Sequence, residues 1–142
     1  MKILLAVDGS KNSLDAVRSL LAHADWYRAK PTVELLTVHL PVPRLPGLSK
    51  FVSKSQIRDY YQEEGAALLA RAKEMLEGAG IAYQARVLVG PVAETIVAQA
   101  KERRCDLIFI GTRGMGAAGN MLLGSTATKV LHLSSVPVLL VK

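Results

Sequence analysis

Five short apolar runs, spread along the whole chain, constrain the fold more than any other feature of the sequence. They occupy residues 2–7, 33–40, 85–89, 106–110 and 136–141, and they are rich in Val, Ile and Leu with little alternation of apolar and polar positions. Continuous runs of this kind are typical of strands that are covered on both faces, as in a parallel sheet. Each run is therefore predicted to be a buried strand.

The segments between these runs have helical periodicity. Helices are predicted over residues 10–28, over 55–79, from residue 91 onward and over 125–133. Ser10 and Ser13 are candidate N-caps of the first helix, and Ser53 and Gln56 have capping-box spacing before the second. The order β-α-β-α-β-α-β-α-β indicates one doubly wound α/β domain over residues 1–142, with a five-stranded parallel sheet.

Composition excludes several classes of protein. Half of the 142 residues are hydrophobic and 21% are charged, so a disordered chain is not expected. Cys105 is the only cysteine, which excludes an intramolecular disulfide. No apolar run approaches the roughly 20 residues of a membrane-spanning helix. The apolar stretch at the N-terminus ends at Asp8, too early for a signal peptide, so a cytoplasmic location is expected.

The strongest functional signal lies in residues 111–126. Five of the chain's 11 glycines fall within these 16 residues, directly after the fourth strand and before the fourth helix. Successive backbone N–H groups of such a loop can bind an anion, and the helix adds the positive end of its dipole. The hydroxyls of Ser125 and Thr126 can cap this helix or contact phosphate oxygens, and Arg113 supplies a cation. The segment suits a phosphate; a loop of small residues without a ligand is the alternative.

Two common phosphate-binding motifs are matched only in part. Residues 119–126 have the glycine spacing of a P-loop but lack its lysine. Residues 114–119 read G-x-G-x-x-G, but they follow the fourth strand instead of the first, where a dinucleotide fingerprint belongs. Neither motif by itself identifies the ligand.

A third pattern resembles the signature of the ATP-binding class of universal stress proteins. Gly111, Gly114, Gly124 and Ser125 have its spacing, G-x2-G-x9-G-[ST], and the resemblance extends over the whole chain. It implies a Rossmann-like fold with strand order 3-2-1-4-5. It also implies a homodimer formed largely through the last strand, whose apolar residues 138–141 would otherwise leave an exposed edge.

The same resemblance implies which residues hold the ligand, expected to be ATP with Mg²⁺ or Mn²⁺ held through the phosphates. The adenosine part is assigned to Ala6, Val7, Asp8 and Val38. The ribose and phosphates are assigned to two groups in the glycine-rich segment, namely Gly111, Thr112, Arg113, Gly114, Met115, Gly116 and Ala117, and then Gly124, Ser125, Thr126 and Ala127. Many relatives carry histidine at the position of Thr37 and some carry proline at Ala6, so the fit of the base is left open.

Several other residues have structural explanations. Asp8 can cap the first helix, accept hydrogen bonds from a ligand, or do both. His23, His39 and His132 lack metal-ligand spacing, and His39 is expected to be a partly solvated residue at a strand end. Cys105 is expected at the edge of the core and not as a nucleophile.

The chain carries a formal charge of +6, of which the last third holds a large share. Residues 101–142 contain six basic and two acidic residues, and the basic residues at 101–104 are expected to stabilise the end of the third helix. Arg113 and Lys129 are the cations placed to favour a bound triphosphate. Trp26 and Tyr27 are expected at the edge of the core, and nucleic-acid binding is not expected because aromatic residues are few.

Three functions from different classes fit the sequence. The first is an ATP-binding regulatory protein of the stress-response kind, with nucleotide at the switch-point crevice between the ends of the first and fourth strands. The second is a homodimeric scaffold that works without nucleotide. The third is a slow ATP-consuming enzyme, such as a pyrophosphatase or adenylyl-transfer catalyst. Phosphoryl chemistry needs a positioned nucleophile and charge stabilisation. Since no P-loop lysine or general base is apparent, the non-enzymatic functions are favoured.

Overall fold

The computed structural model describes residues 1–41, 53–112 and 123–142. Within these ranges the strands are β1 (Lys2–Ala6), β2 (Thr32–His39), β3 (Tyr83–Val89), β4 (Leu107–Gly111) and β5 (Val138–Val141). The helices are α1 (Lys11–Ala22), α2 (Lys54–Gly78), α3 (Val92–Glu102) and α4 (Ser125–Leu133), with a 3₁₀ turn at Ala24–Trp26. The order of strands and helices is the predicted one, and the strand bounds differ from prediction by at most two residues.

The five strands form one parallel sheet in the order β3-β2-β1-β4-β5, which confirms the expected topology. Leu5 of β1 lies opposite Leu35 of β2 and Phe109 of β4. The order reverses beside β1, and ligands of such sheets bind outside the carboxyl ends of the strands at this point. β1 and β4 reach this edge together, with Ala6 opposite Ile110.

Two apolar layers, one on each face of the sheet, explain the continuous hydrophobic runs. Ile3, Leu5 and Phe109 pack against α1 and α2, in what is called here the α1/α2 layer. Leu4 and Ile110 pack against α3 and α4, in the α3/α4 layer. Because successive residues of a strand point to opposite faces, both faces of β1 must be apolar.

The region after α1 departs from prediction. The helix ends at Ala22 instead of residue 28, and a short 3₁₀ turn follows. The Nδ1 atom of His23 lies 2.8 Å from the carbonyl oxygen of Ser19, and its ring contacts that of Trp26 at a tilt of 53°, with 4.0 Å between centroids. Trp26 is 77% exposed, so its predicted place at the core edge is wrong, because the tighter turn changes the direction of successive side chains. Tyr27 does pack against the α1/α2 layer.

The first turn of α2 follows the prediction closely. The Ser53 hydroxyl accepts a hydrogen bond from the Gln56 N–H at 3.2 Å, and the Gln56 side chain accepts one from the Ser53 N–H at 2.8 Å. Farther along, Gly65 lies so close to β3 that a Cβ atom there would be 2.3 Å from Cγ1 of Val87. The glycine therefore sets how closely α2 packs on the sheet.

A buried carboxylate lies toward the amino edge of the sheet. Glu34 of β2 is only 4% exposed, and its oxygens lie 2.9 Å from the Lys2 ammonium and 3.4 Å from the Arg86 guanidinium. Burial alone would raise the pKa of Glu34, but the hydrogen bonds and charges of Lys2 and Arg86 outweigh burial and lower it. The Lys2 ammonium also donates a hydrogen bond to the Arg103 carbonyl at 3.1 Å. Arg103 is the C-cap of α3, whose last turn contains Lys101.

Candidate functional site

The ends of β1 and β2 place the predicted adenosine residues on different faces of the sheet. Ala6 is buried in the α3/α4 layer, and Val38 packs against the same layer. Val7 is buried in the α1/α2 layer, and its N–H donates to the Leu36 carbonyl at 2.9 Å. Ala6 and Val38 therefore lie on the same face of the sheet, whereas the Val7 side chain faces the opposite core.

The turn from β1 into α1 is held by its own polar groups. An Asp8 oxygen accepts a hydrogen bond from the Ser10 N–H at 3.0 Å, and the Asp8 N–H donates to the Ser13 hydroxyl at 3.3 Å. Ser10 is the N-cap, since its hydroxyl accepts from the Ser13 N–H at 3.2 Å. Gly9 has a φ of +77°, and a Cβ atom there would lie 2.7 Å from Cδ2 of Leu68. Asp8 thus orders the turn while Ser10 caps the helix.

At the end of β4, Gly111 packs against the first turn of α1. A Cβ atom at this position would lie 2.7 Å from the carbonyl oxygen of Asn12 and 3.1 Å from the backbone nitrogen of Ser13. Those neighbours are backbone atoms, which cannot move aside as a flexible side chain can. The first glycine of the signature therefore has a packing role that is independent of any ligand.

Thr112 and Gly124 bring the two ends of the glycine-rich segment together. Thr112 is 8% exposed, and its N–H donates to the Val141 carbonyl at 2.8 Å. Its carbonyl accepts a hydrogen bond from the Gly124 N–H at 2.6 Å. The start of α4 is thereby held beside the end of β4. The predicted residues Arg113, Gly114, Met115, Gly116 and Ala117 lie outside the described residues.

The N-terminus of α4 is the least satisfied helix start in the described part of the chain. Its N-cap is Gly124, which has no side chain, and the first turn contains no acidic residue. Ser125 is exposed, Thr126 is half-buried and Ala127 is buried. The Thr128 hydroxyl donates to the Gly124 carbonyl, one turn back along the helix, at 3.0 Å. The orphan N–H groups of this turn carry the positive end of the helix dipole, which is an environment suited to an anion.

Lys129, predicted to favour phosphates, has a protein partner. Its ammonium forms an ion pair with Glu94 of α3. A hydrogen bond from Lys129 is the main cause of a lowered pKa of Glu94, and a backbone N–H bond adds to it. The sequence contains no separate signal for a role of Glu94, because an acid in the first turn of a helix is explained by the helix dipole alone.

The remaining candidates do not form a second centre. Cys105 is buried, and burial raises the pKa of its thiol, which opposes nucleophilic reactivity. His39 is partly exposed at the end of β2, as expected, with its ring 5.4 Å from that of Tyr61 and its Nε2 atom enclosed. Within residues 1–41, 53–112 and 123–142, no group of three or more His, Cys, Asp or Glu side chains is placed to hold a metal ion.

Strand β5 is an edge strand of the sheet, next to β4. Leu139 of this strand is 36% exposed, and Leu131 and Leu133 of the adjacent α4 are 42% and 43% exposed. Leu139 lies on the α1/α2 face of β5, whereas α4 packs on the other face of the sheet. Among the described residues, no helix has both the length and the apolar character needed to cross a membrane.

Known proteins resemble this chain over its full length. The model of the universal stress protein family matches residues 1–142. The chain is 33% identical over 142 residues to universal stress protein MJ0531 of Methanocaldococcus jannaschii, with 99% of this chain and 81% of the relative covered.

Solved structures agree in fold. The structure of protein MJ0577, from the same organism, superposes with a TM-score of 0.85 at 28% identity and covers 99% of this chain and 94% of its own. A universal stress protein in complex with cAMP superposes with a TM-score of 0.69 at 26% identity, covering 100% and 97%. With the Rossmann-like sheet order and the full-length family match, the chain belongs to the universal stress protein family.

Proposed function

We propose that this chain is an ATP-binding regulatory protein of the stress response, with the nucleotide at the switch-point crevice. The observation that carries the proposal is the N-terminus of α4, which lacks a side-chain cap and an acidic residue and is held beside the end of β4. Phosphates would replace the missing cap, because an anion at a helix N-terminus satisfies its N–H groups and its dipole.

The two sides of the crevice suit different parts of the ligand. Ala6 and Val38 present apolar side chains on the α3/α4 side, which suits the adenosine part. Ser125 and Thr126 bring hydroxyls to the start of α4, which suits the phosphates. The cAMP complex of a relative supports an adenine nucleotide as the class of ligand. Residues 113–117 would complete the phosphate side, and Mg²⁺ or Mn²⁺ would be held through the phosphates.

A regulatory role fits the surroundings of the crevice. Asp8 is engaged in the turn that begins α1, and Glu94, the carboxylate near the start of α4, is paired with Lys129. We further propose one domain over residues 1–142 that acts in the cytoplasm as a homodimer. The exposed Leu139 on edge strand β5 supports pairing of that strand with a second copy.

The direct experiment is to release and identify the resident ligand. The purified protein is denatured, the small molecules in the supernatant are measured by mass spectrometry, and the refolded, emptied protein is titrated calorimetrically with ATP and Mg²⁺. We expect an adenine nucleotide in the supernatant and saturable ATP binding. Gly114→Val, which places a branched side chain in the signature, is expected to remove binding while the circular dichroism spectrum is retained.

Thermal unfolding separates this function from that of a scaffold without nucleotide. A ligand that binds the native state stabilises it by mass action, by about 2.7 kcal/mol at a concentration one hundred times Kd. Equal unfolding temperatures with and without millimolar ATP and Mg²⁺, together with a flat titration, would favour the scaffold. ATP turnover well above that of Ser125→Ala would instead indicate an enzyme.

A further inference from the structure

An ion pair between α3 and α4 lies beside the proposed phosphate site. Glu94 is in the first turn of α3 and Lys129 is in the second turn of α4, and both helices begin at the carboxyl edge of the sheet. The side chains of Lys129 and Glu94 are 54% and 44% exposed. Because neither charge is buried, each can exchange its partner for a ligand without a large desolvation cost.

The position of Lys129 on its helix directs it to the same ligand. Ser125 and Thr126 precede it by four and three residues, so the three side chains occupy one side of α4. One helical turn rises about 5.4 Å, which is within reach of a lysine side chain. The ammonium can therefore extend either to Glu94 or to an anion at the start of its own helix.

Glu94 controls how much of this positive charge is available. The bond from Lys129 is the first cause of its lowered pKa, so the carboxyl is anionic at neutral pH. While the pair is intact, Lys129 is neutralised, and a carboxylate stands next to the helix end that would receive phosphates. A ligand must then compete with Glu94 for Lys129 and tolerate the repulsion from the carboxylate.

We propose that Glu94 and Lys129 tune the phosphate site to the charge of its ligand. Lys129 exchanges Glu94 for the phosphates of a bound nucleotide, and the freed carboxylate opposes binding in proportion to ligand charge. Glu94 is thus a positioning residue for Lys129, and its own carboxylate adds a direct repulsion of the ligand. This inference rests on the proposed nucleotide-binding function and adds to it a determinant of affinity that depends on phosphate number.

The test is a double-mutant cycle measured with two ligands. Calorimetric titrations with AMP and with ATP are made on the unaltered protein, Glu94→Gln, Lys129→Gln and the double variant, at low and at high salt. We expect Glu94→Gln to tighten ATP binding about threefold and Lys129→Gln to weaken it about threefold, with smaller changes for the less charged AMP. The double variant should bind ATP more tightly than Lys129→Gln, because it also lacks the free carboxylate, and the differences should shrink at high salt.

Matched controls for both charges are available at the other end of α3. Glu102→Gln and Lys101→Gln remove the same charges from the last turn of α3, at the other edge of the sheet. ATP affinity should be unchanged in both. Thermal unfolding without nucleotide shows that each variant is folded, and a packing effect of the lost pair would alter AMP and ATP binding alike.

Four results would overturn the inference. Equal changes in AMP and ATP affinity would show a structural role alone. Equal effects of Glu94→Gln and Glu102→Gln would show a response to net charge and not to this pair. If ATP binds the unaltered protein but Glu94→Gln leaves its affinity unchanged, the inference fails while the proposed function stands; if neither nucleotide binds, both fail.

Discussion

The N-termini of α1 and α4 lie at the same edge of the sheet, yet their polar groups are used differently. At α1, the Ser10 hydroxyl accepts from the Ser13 N–H, and Asp8 accepts from the Ser10 N–H. At α4, the N-cap is Gly124, and no side chain of the described residues caps the first turn. Two helix starts with the same dipole thus differ in whether a described side chain caps them, and the uncapped start of α4 is the one suited to an anion.

The largest expected effect comes from placing a negative charge at the uncapped start of α4. Ser125→Asp places a carboxylate in the first turn of α4, where it repels phosphates. We expect ATP affinity to fall by at least about tenfold. The same carboxylate favours the helix dipole, by about 0.3–1 kcal/mol. Titration and thermal unfolding should therefore move in opposite senses.

A matched change in another helix isolates the effect of position. Ser55→Asp introduces the same carboxylate at an exposed position in the first turn of α2. Its ATP affinity should equal that of the unaltered protein. Loss of binding in Ser55→Asp as well would mean that added negative charge, and not the α4 terminus, is responsible.

The second effect concerns the packing of Gly111 against the first turn of α1. Gly111→Ala would bring a Cβ atom to 2.7 Å from the carbonyl oxygen of Asn12. We expect a destabilisation of about 1–3 kcal/mol in urea unfolding, because backbone must shift. Gly78→Ala is the control, since a Cβ atom there meets nothing within 4 Å and alanine favours the helix. Similar stabilities of the two variants would contradict the packing role of Gly111.

The third prediction concerns Glu34, the buried carboxylate toward the amino edge of the sheet. The folded-state pKa of Glu34 is lowered, so its contribution to stability is complete above the unfolded pKa and is lost as pH falls through the folded value. At neutral pH, Glu34→Gln should lower the free energy of unfolding by about 1–3 kcal/mol. The difference from the unaltered protein should shrink below about pH 4. A difference that is constant with pH would contradict this assignment.

The smallest effects come from a pair of alanine substitutions at the two helix starts. Ser10→Ala removes the α1 cap and should cost about 1 kcal/mol of stability. Ser125→Ala removes no cap, so its stability should be nearly unchanged, while ATP affinity should fall about two- to tenfold through a lost hydrogen bond. Urea unfolding and calorimetry on both variants measure the contrast. A stability loss in Ser125→Ala as large as that in Ser10→Ala would show that both ends are capped alike.

Much of the fold could be predicted from the chain alone, because the signals are local. The apolar runs predicted the strands to within two residues, and Ser53 and Gln56 predicted the capping box. The extent of α1 could not be read in this way, since the tighter turn that carries Trp26 away from the core has no periodicity of its own. The assignment of ligand contacts to residues 111–117 and 124–127 stays a prediction.

The sequence by itself determined the order of strands and helices, the family and the segment suited to phosphate, because hydrophobic period and glycine spacing are properties of neighbouring residues. Only the tertiary structure decided that Gly111 packs on Asn12 and that Lys129 pairs with Glu94. These contacts join residues far apart in the chain. They depend on how the helices are placed on the sheet, which no local pattern specifies.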